Sequence, residues 1–309
     1  MRKLKVVVSG IHYPLSMMTY FIRALQRRPD IDLVTVGPFT NTFIPWNNGM
    51  HLPVRYVHKP THPLSPEVIP LKKVNPQIFQ VYEDMHDVDL WLEVDAGFYL
   101  DPKPAVGIVA HVATDPHVLN YDRQRQLADF FFCMQTPYMR PELGDFYLPY
   151  AFDPTVHRPL EMIRKEYDAC LIGLQYDQRN LLVNALSSKN MSVFSGIGKI
   201  LDEYNLAYNK ARVALSWSSL NDLPARVWEA FGMRVPLVTN RVPDLPTFFV
   251  ENEHYLGFSN ILEAVDRVQW LLDNSDKAEN MADAAYRKVI AGHTWDHRVQ
   301  QILETVRLR

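Results

Sequence analysis

Arg226 and Glu229 stand three residues apart in the run NKARVALSWSSLNDLPARVWEAFGMRVPLVTNRVPDL, residues 209–245. A guanidinium meets a diphosphate through parallel charge-assisted hydrogen bonds, and a carboxylate accepts from both hydroxyls of a ribose diol. Ser218, Ser219 and Asn221, just upstream, carry hydroxyl and amide groups that suit phosphate oxygens or the needs of their own loop. The spacing predicts a strand at 213–216, a polar loop at 218–221, a helix from Pro224 and a strand at 235–239. Asp222 is the expected N-cap and Gly232 the C-terminal stop. Such an order sets a helix N-terminus at the carboxyl end of a parallel sheet, where open α/β folds bind phosphate. Glu229 falls in the last helical turn, against the macrodipole, which invites either a ligand or an ion pair with Arg226.

Further candidates follow other predicted strands. Gly173 opens the run Gly-Leu-Gln-Tyr-Asp-Gln-Arg that ends at Arg179, where backbone can approach a ligand and a second guanidinium can reach a diphosphate. The run lacks GxGxxG, so a redox dinucleotide is unsupported. In the first half, His12 follows the opening strand, and His111 and Asp115 follow a strand predicted at 105–110. Asp115 or either histidine suits a general base acting on a hydroxyl. The HxxxDxH spacing around Asp115 matches no firm metal motif, and no bound metal is expected. Asp87-Val-Asp89 and Glu93-Val-Asp95 bracket another strand, the latter at its end, and support a rival reading, an acidic Mn²⁺ site for a nucleotide diphosphate.

The elements that position these residues alternate. Strand patterns at 4–8, 31–36, 89–94, 105–110 and 130–133 are joined by helical patterns at 16–27 and 119–128. Eight prolines between residues 38 and 76 forbid a long helix there and predict an extended loop region with short edge strands. Proline-spaced residues 147–159 mark a boundary, giving domains 1–150 and 151–309. The second half restarts at 167–172 and continues with strands at 191–195, 213–216, 235–239 and 255–257. Its helices are predicted at 178–189, 198–209, 224–231, 261–273, 277–290 and 295–307. At 309 residues the chain exceeds one ordinary core. The expected fold is α/β, two facing Rossmann-like doubly wound domains, with the C-terminal helix packing back toward the first.

Composition narrows the classes. A net charge of −3 and a pI near 6.4 give no global attraction to nucleic acid or anionic membrane. Cys133 and Cys170 each sit in an apolar run and read as buried thiols, which suits a reducing compartment. The apolar run after the basic start breaks at Gly10, too soon for a signal-peptide core. No stretch reaches membrane-helix length, and a cytoplasmic protein is expected.

Four runs in order, LPYAFDPTVHRPL, YDACLIGLQYDQRNLLVNAL, the R-x-x-E-A-F-G-M-x-x-P-L-V core around Glu229, and GHTWDHRVQQIL, resemble the CgeB-type (spore maturation protein B-like) glycosyltransferases. These are GT-B enzymes related to glycosyltransferase families 1 and 4. The resemblance covers residues 101 to the C-terminus and is strongest from Leu148 onward. It implies an NDP-sugar donor, UDP-linked, held by the second domain, a hydroxyl acceptor held by the first, and no required metal or further cofactor. By that similarity Glu229 is the later glutamate of an E-x7-E pair and binds ribose, while the earlier position is Asn221. That departure leaves the retaining assignment open. If transfer inverts, Asp115 is the expected base; if it retains, the diphosphate itself assists. The substitution at Asn221 also admits a non-catalytic binding or assembly protein, and a third reading keeps the enzyme with a modified DNA base, in place of a glycan or protein, as acceptor. Neither the acceptor nor the oligomeric state is legible.

Overall fold

A computed structural model describes residues 2–40, 57–69, 72–95 and 97–308. The chain forms two compact units, Met1–Pro149 with Trp295–Arg309, and Tyr150–Thr294.

The first unit opens with β1 (Leu4–Ser9), α1 (Met18–Gln26) and β2 (Ile31–Pro38), a β-α-β start dictated by apolar strands around an amphipathic helix. Residues 41–56 and 70–71 of the proline-rich region lie outside the described residues. The remainder of that region carries β3 (His62–Leu64), β4 (Lys73–Val74) and short 3₁₀ turns at Pro66–Val68 and Pro76–Val81, each entered through proline. Then come β5 (Leu90–Val94), β6 (Tyr99–Leu100), β7 (Ile108–Ala113), α2 (Asp122–Leu127), β8 (Phe130–Cys133) and β9 (Asp145–Tyr147). Seven strands form one sheet in the order β3-β2-β1-β5-β7-β8-β9, all paired in parallel. A parallel sheet covered on both faces needs continuous apolar strands, and Val6, Val7 and Val8 are fully buried.

The second unit contains β10 (Tyr167–Ile172), α3 (Asp177–Ser187), β11 (Val193–Gly196), α4 (Leu201–Asn209), β12 (Ala211–Ser216), α5 (Ala225–Gly232), β13 (Leu237–Asn240), α6 (Leu245–Phe248), β14 (Leu256–Phe258), α7 (Ile261–Asp273) and α8 (Ser275–Gly292). Its sheet runs β11-β10-β12-β13-β14, again parallel. The core on one face joins Ala169, Leu171, Val213, Leu215 and Val238 of the strands to Leu182, Val268 and Leu271 of the helices. Asn260 caps α7 by accepting from the Glu263 amide at 2.9 Å, the turn chemistry expected of an asparagine before an apolar helix. The final helix, α9 (Trp295–Thr305), belongs to the first unit, where Trp295 stacks on Tyr20 and meets Phe21 edge-on.

The expected α/β fold with two Rossmann-like parallel sheets is what forms. Two corrections concern the sites. The strand expected at 105–110 is shifted and ends at Ala113, so His111 lies inside β7 and not in the loop after it. Residues 105–107 instead stay out of the ladder, with the Gly107 amide bonded to Val88 O. Helix α5 has Pro224 as N-cap without any side-chain cap, so Asp222 does not fill that role. At its other end the left-handed residue is Arg234, with φ +56°, while Gly232 remains helical.

Candidate functional site

In each sheet the strand order reverses its direction of growth at one point, the place where open α/β sheets bind ligands at the carboxyl ends of their strands. In the second unit this lies between β10 and β12. Ile172 and Gly173 end β10, residues 217–222 follow β12, and α5 begins at Ala225. The polar loop after β12 and the start of α5 therefore lie at this switch point.

Arg226 is tied to it directly. Its Nε donates to Ile172 O at 3.0 Å, and its buried Nη1 finds no acceptor among the described residues. Burial works against its charge, yet Tyr208, Tyr204 and Glu229 beside it leave its pKa above the ordinary arginine value. Gly173 makes the approach feasible: it has φ +142°, and a Cβ there would collide with the Arg226 guanidinium. The uncapped first turn of α5 starts one residue before Arg226, leaving N–H groups and the positive end of the helix dipole at the same place.

Glu229, one turn further along α5, is 7 % exposed. It does not pair with Arg226. The Tyr204 hydroxyl donates to its Oε2 at 2.6 Å, and His157 Nε2 lies 3.7 Å from its Oε1. Burial and the adjacent Glu229 raise the Tyr204 pKa well above that of free tyrosine, so this hydroxyl keeps its proton. Tyr208, one turn along α4 from Tyr204, accepts from the Ile172 amide at 3.3 Å. Neither tyrosine nor His157 was singled out from sequence. The signal was the i, i+4 pair in YNLAY on a helix, together with a histidine inside the LPYAFDPTVHRPL run.

Other expected residues are committed to the scaffold. Arg179 donates Nε and Nη2 to Trp217 O at 3.0 and 2.8 Å and Nη1 to Leu174 O at 2.8 Å. It clamps the two loops and does not present an open fork to a diphosphate; burial and the nearby Arg226 push its pKa down to about 10. The Ser218 hydroxyl bonds Asp222 and accepts from the Asp222 amide at 3.0 Å, while the Asn240 side chain brackets the Ser218 main chain at 2.8 and 2.9 Å. Ser219 and Asn221 stay exposed, and Asn221 is left-handed at φ +57°.

The first unit gathers its candidates at the ends of β1, β5 and β7. The Tyr121 hydroxyl donates to Asp95 Oδ1 at 2.8 Å and accepts from the Asp115 amide at 3.2 Å. Burial, then Asp95 and Asp115, raise the pKa of Tyr13, as they do for Tyr121. His12 is 1 % exposed, with Nδ1 donating to His58 O at 2.9 Å and Nε2 without a partner among the described residues. Burial pushes its pKa down to about 4, so the ring is neutral at pH 7. His111 is fully buried, stacked on Phe131, and 3.3 Å from Glu93 Oε2. Glu93 Oε1 in turn accepts from the Leu100 amide at 3.3 Å. Glu93 and Asp95 thus face different neighbours and do not form a paired acidic site. Among the described residues, no three His, Cys, Asp or Glu side chains are grouped to hold a metal ion. Cys133 and Cys170 are both buried free thiols, and no described helix is long and apolar enough to cross a membrane.

Known proteins share this fold. Residues 158–304 match a family described as glycosyl transferase-like. Anabaena HepE, solved with UDP-glucose, shares the fold with a TM-score of 0.65 at 9 % identity, over 98 % of this chain and 99 % of that one. A sucrose-phosphate synthase from Thermosynechococcus elongatus superposes with a TM-score of 0.62 at 12 % identity, over 99 % and 98 % of the two chains. A UDP-N-acetylglucosamine 2-epimerase from Listeria monocytogenes gives 0.57 at 12 % identity, over 99 % and 96 %. No curated protein matches the sequence significantly. The chain therefore has the two-domain GT-B fold, with a glycosyl transferase-like match over most of its second unit. An epimerase among its structural likenesses is a reminder that fold alone does not set the reaction.

Proposed function

We propose that this protein is a GT-B glycosyltransferase that moves a sugar from an NDP-sugar, UDP-linked, to a hydroxyl acceptor without a bound metal. The observation that carries this is the β10/β12 crevice. A guanidinium with an unpartnered buried nitrogen lies at an uncapped helix start, and a carboxylate follows one turn later. The first two stabilise a departing diphosphate, where transition-state charge collects. The carboxylate takes the ribose diol. The glycosyl transferase-like match over residues 158–304 and the UDP-glucose held by HepE favour the same donor class. CgeB-type membership is the finer assignment, supported by the run of motifs from Leu148 onward.

The second unit accordingly serves the donor, and the acceptor falls to the first. Asp115 is the base for an inverting transfer, its main chain fixed by Tyr121 and its turn. His12, neutral at pH 7 with a bare Nε2, is a second proton acceptor. His111, buried against Phe131 and Glu93, supports β7.

The test is thermal stability against nucleotides and nucleotide sugars, with Mn²⁺ or with EDTA. A ligand at a hundred times its Kd adds about 2.7 kcal/mol, which a melting curve resolves. A shift with UDP that persists in EDTA supports the reading. A shift that requires Mn²⁺, or silence across the panel, overturns it. Asn221, exposed where the family pattern has glutamate, favours a second reading in which the donor is bound but not transferred. Sugar release from a bound UDP-sugar excludes that reading.

A further inference from the structure

We infer that Tyr204 is the positioning residue that makes Glu229 select ribonucleotides; this rests on the nucleotide reading of the β10/β12 crevice. Glu229 sits in the last turn of α5, where the helix dipole disfavours it, and Arg226 is within reach on the same helix. Left to itself the carboxylate would turn toward that guanidinium, and both groups would be lost to a ligand. It is instead held away by a side chain from another element. Tyr204 on α4 donates to Oε2 at 2.6 Å, the short bond of a hydroxyl to a charged oxygen.

The tyrosine is itself fixed. Its ring packs against Tyr208 with centroids 4.8 Å apart, and Tyr208 is anchored on the Ile172 amide at 3.3 Å. The same Ile172 offers its carbonyl to Arg226. One residue at the end of β10 thus fixes both arms, through Tyr208 and Tyr204 to Glu229, and directly to Arg226. The remaining oxygen, Oε1, lies 3.7 Å from His157 Nε2, beyond hydrogen-bond reach. That imidazole stands at ion-pair distance from it, and no hydrogen bond among the described residues uses this oxygen.

A carboxylate oriented in this way accepts from a 2′-hydroxyl and a 3′-hydroxyl together, and its preference for both depends on its not rotating. Loss of the Tyr204 hydroxyl frees Glu229 to pair with Arg226, so the contact to the diol weakens while the diphosphate contact is merely shared.

The experiment compares UDP with 2′-deoxy-UDP by calorimetry on the wild type, Tyr204→Phe, Glu229→Ala and the double variant. Wild type is expected to prefer UDP by about tenfold, one charged hydrogen bond's worth. In Tyr204→Phe that preference falls toward unity, and in the Glu229→Ala background the same change does nothing further. The variant removes one oxygen from a ring that stays packed, and its own melting curve reports whether the fold is kept. Should Tyr204→Phe not fold, the wild-type preference itself is the readout: equal affinity for the two nucleotides would overturn the inference. If UDP binds and Tyr204→Phe keeps the full preference, or if the losses add, Tyr204 does not act through Glu229 and the inference falls alone. If wild type binds neither nucleotide, the nucleotide reading falls first and this one with it.

Discussion

The two sheets place their chemistry at the same topological point and arm it differently. At the β10/β12 crevice the second unit holds a charged pair, Arg226 and Glu229, each bonded to a group that leaves part of it open. At the ends of β1, β5 and β7 the first unit holds a neutral histidine and two aspartates joined through one tyrosine. Charges held apart at a helix start suit a polyanion with a diol. A bare imidazole nitrogen and a carboxylate at a strand end suit the proton transfer proposed for the first unit. Two copies of one architecture can therefore divide binding from chemistry.

The sharpest way to break that division is to change each half and read both properties. Asp115→Asn keeps the size of the side chain and removes the carboxylate proposed as the base. Transfer is expected to fall by about 10² to 10⁴-fold, with UDP affinity unchanged. A large loss of UDP affinity in that variant would mean the units do not divide the work. Glu229→Ala is the converse. It should weaken UDP by about a hundredfold, from two lost charge-assisted bonds, as read by calorimetry. Undiminished affinity would remove Glu229 from the donor site.

The second site was the more legible in sequence, for a physical reason. Its strand, loop, helix and next strand are contiguous, so periodicity alone brought Ser218, Arg226 and Glu229 to one crevice. Strands 167–172 and 130–133 and helix 261–273 were placed without error, because each has a clear apolar pattern and a turn signal at its ends. What single residues do inside the site was less accessible. Arg179 reads as a ligand arginine until Trp217 O and Leu174 O are seen to occupy it. Tyr204 carries no motif, because its importance comes from a partner twenty-five residues away on another helix. In the first unit the strand at 108–113 was displaced by three residues. The run AVGIVAHVA is apolar but for His111, and periodicity offers no register within such a run. That shift is what moved His111 from loop to core.

The neutrality of His12 gives a second contrast. Its folded pKa of about 4 lies below the ordinary 6.5. The unfolded chain therefore binds a proton first as pH falls. Above pH 6.5 the group contributes no pH dependence; between about 6.5 and 4 it destabilises the fold increasingly, by about 3 kcal/mol at the lower end. A melting series from pH 7.5 to 4 should show this decline, and His12→Gln should flatten part of it. An unchanged slope would show that another group carries the acid sensitivity.

The smallest expected effect tests the closest fit in the second unit. Gly173 has φ +142°, which an alanine rarely adopts, and its added Cβ would meet the Arg226 guanidinium with Arg179 Nη1 only 3.2 Å away. Arg179 cannot yield, because all its bonds hold the flanking loops together. Arg226 must then move off Ile172 O, and it moves away from the helix start that gives it meaning. Gly173→Ala is expected to cost UDP affinity about tenfold, equivalent to about 1.4 kcal/mol, with a modest fall in melting temperature. The preference for UDP over 2′-deoxy-UDP should survive, since Tyr204 and Glu229 are untouched. Loss of that preference together with the affinity would show the two arms to be one mechanical unit, coupled through Ile172. Its survival would show that the diphosphate and the ribose are gripped independently, each from its own side of the crevice.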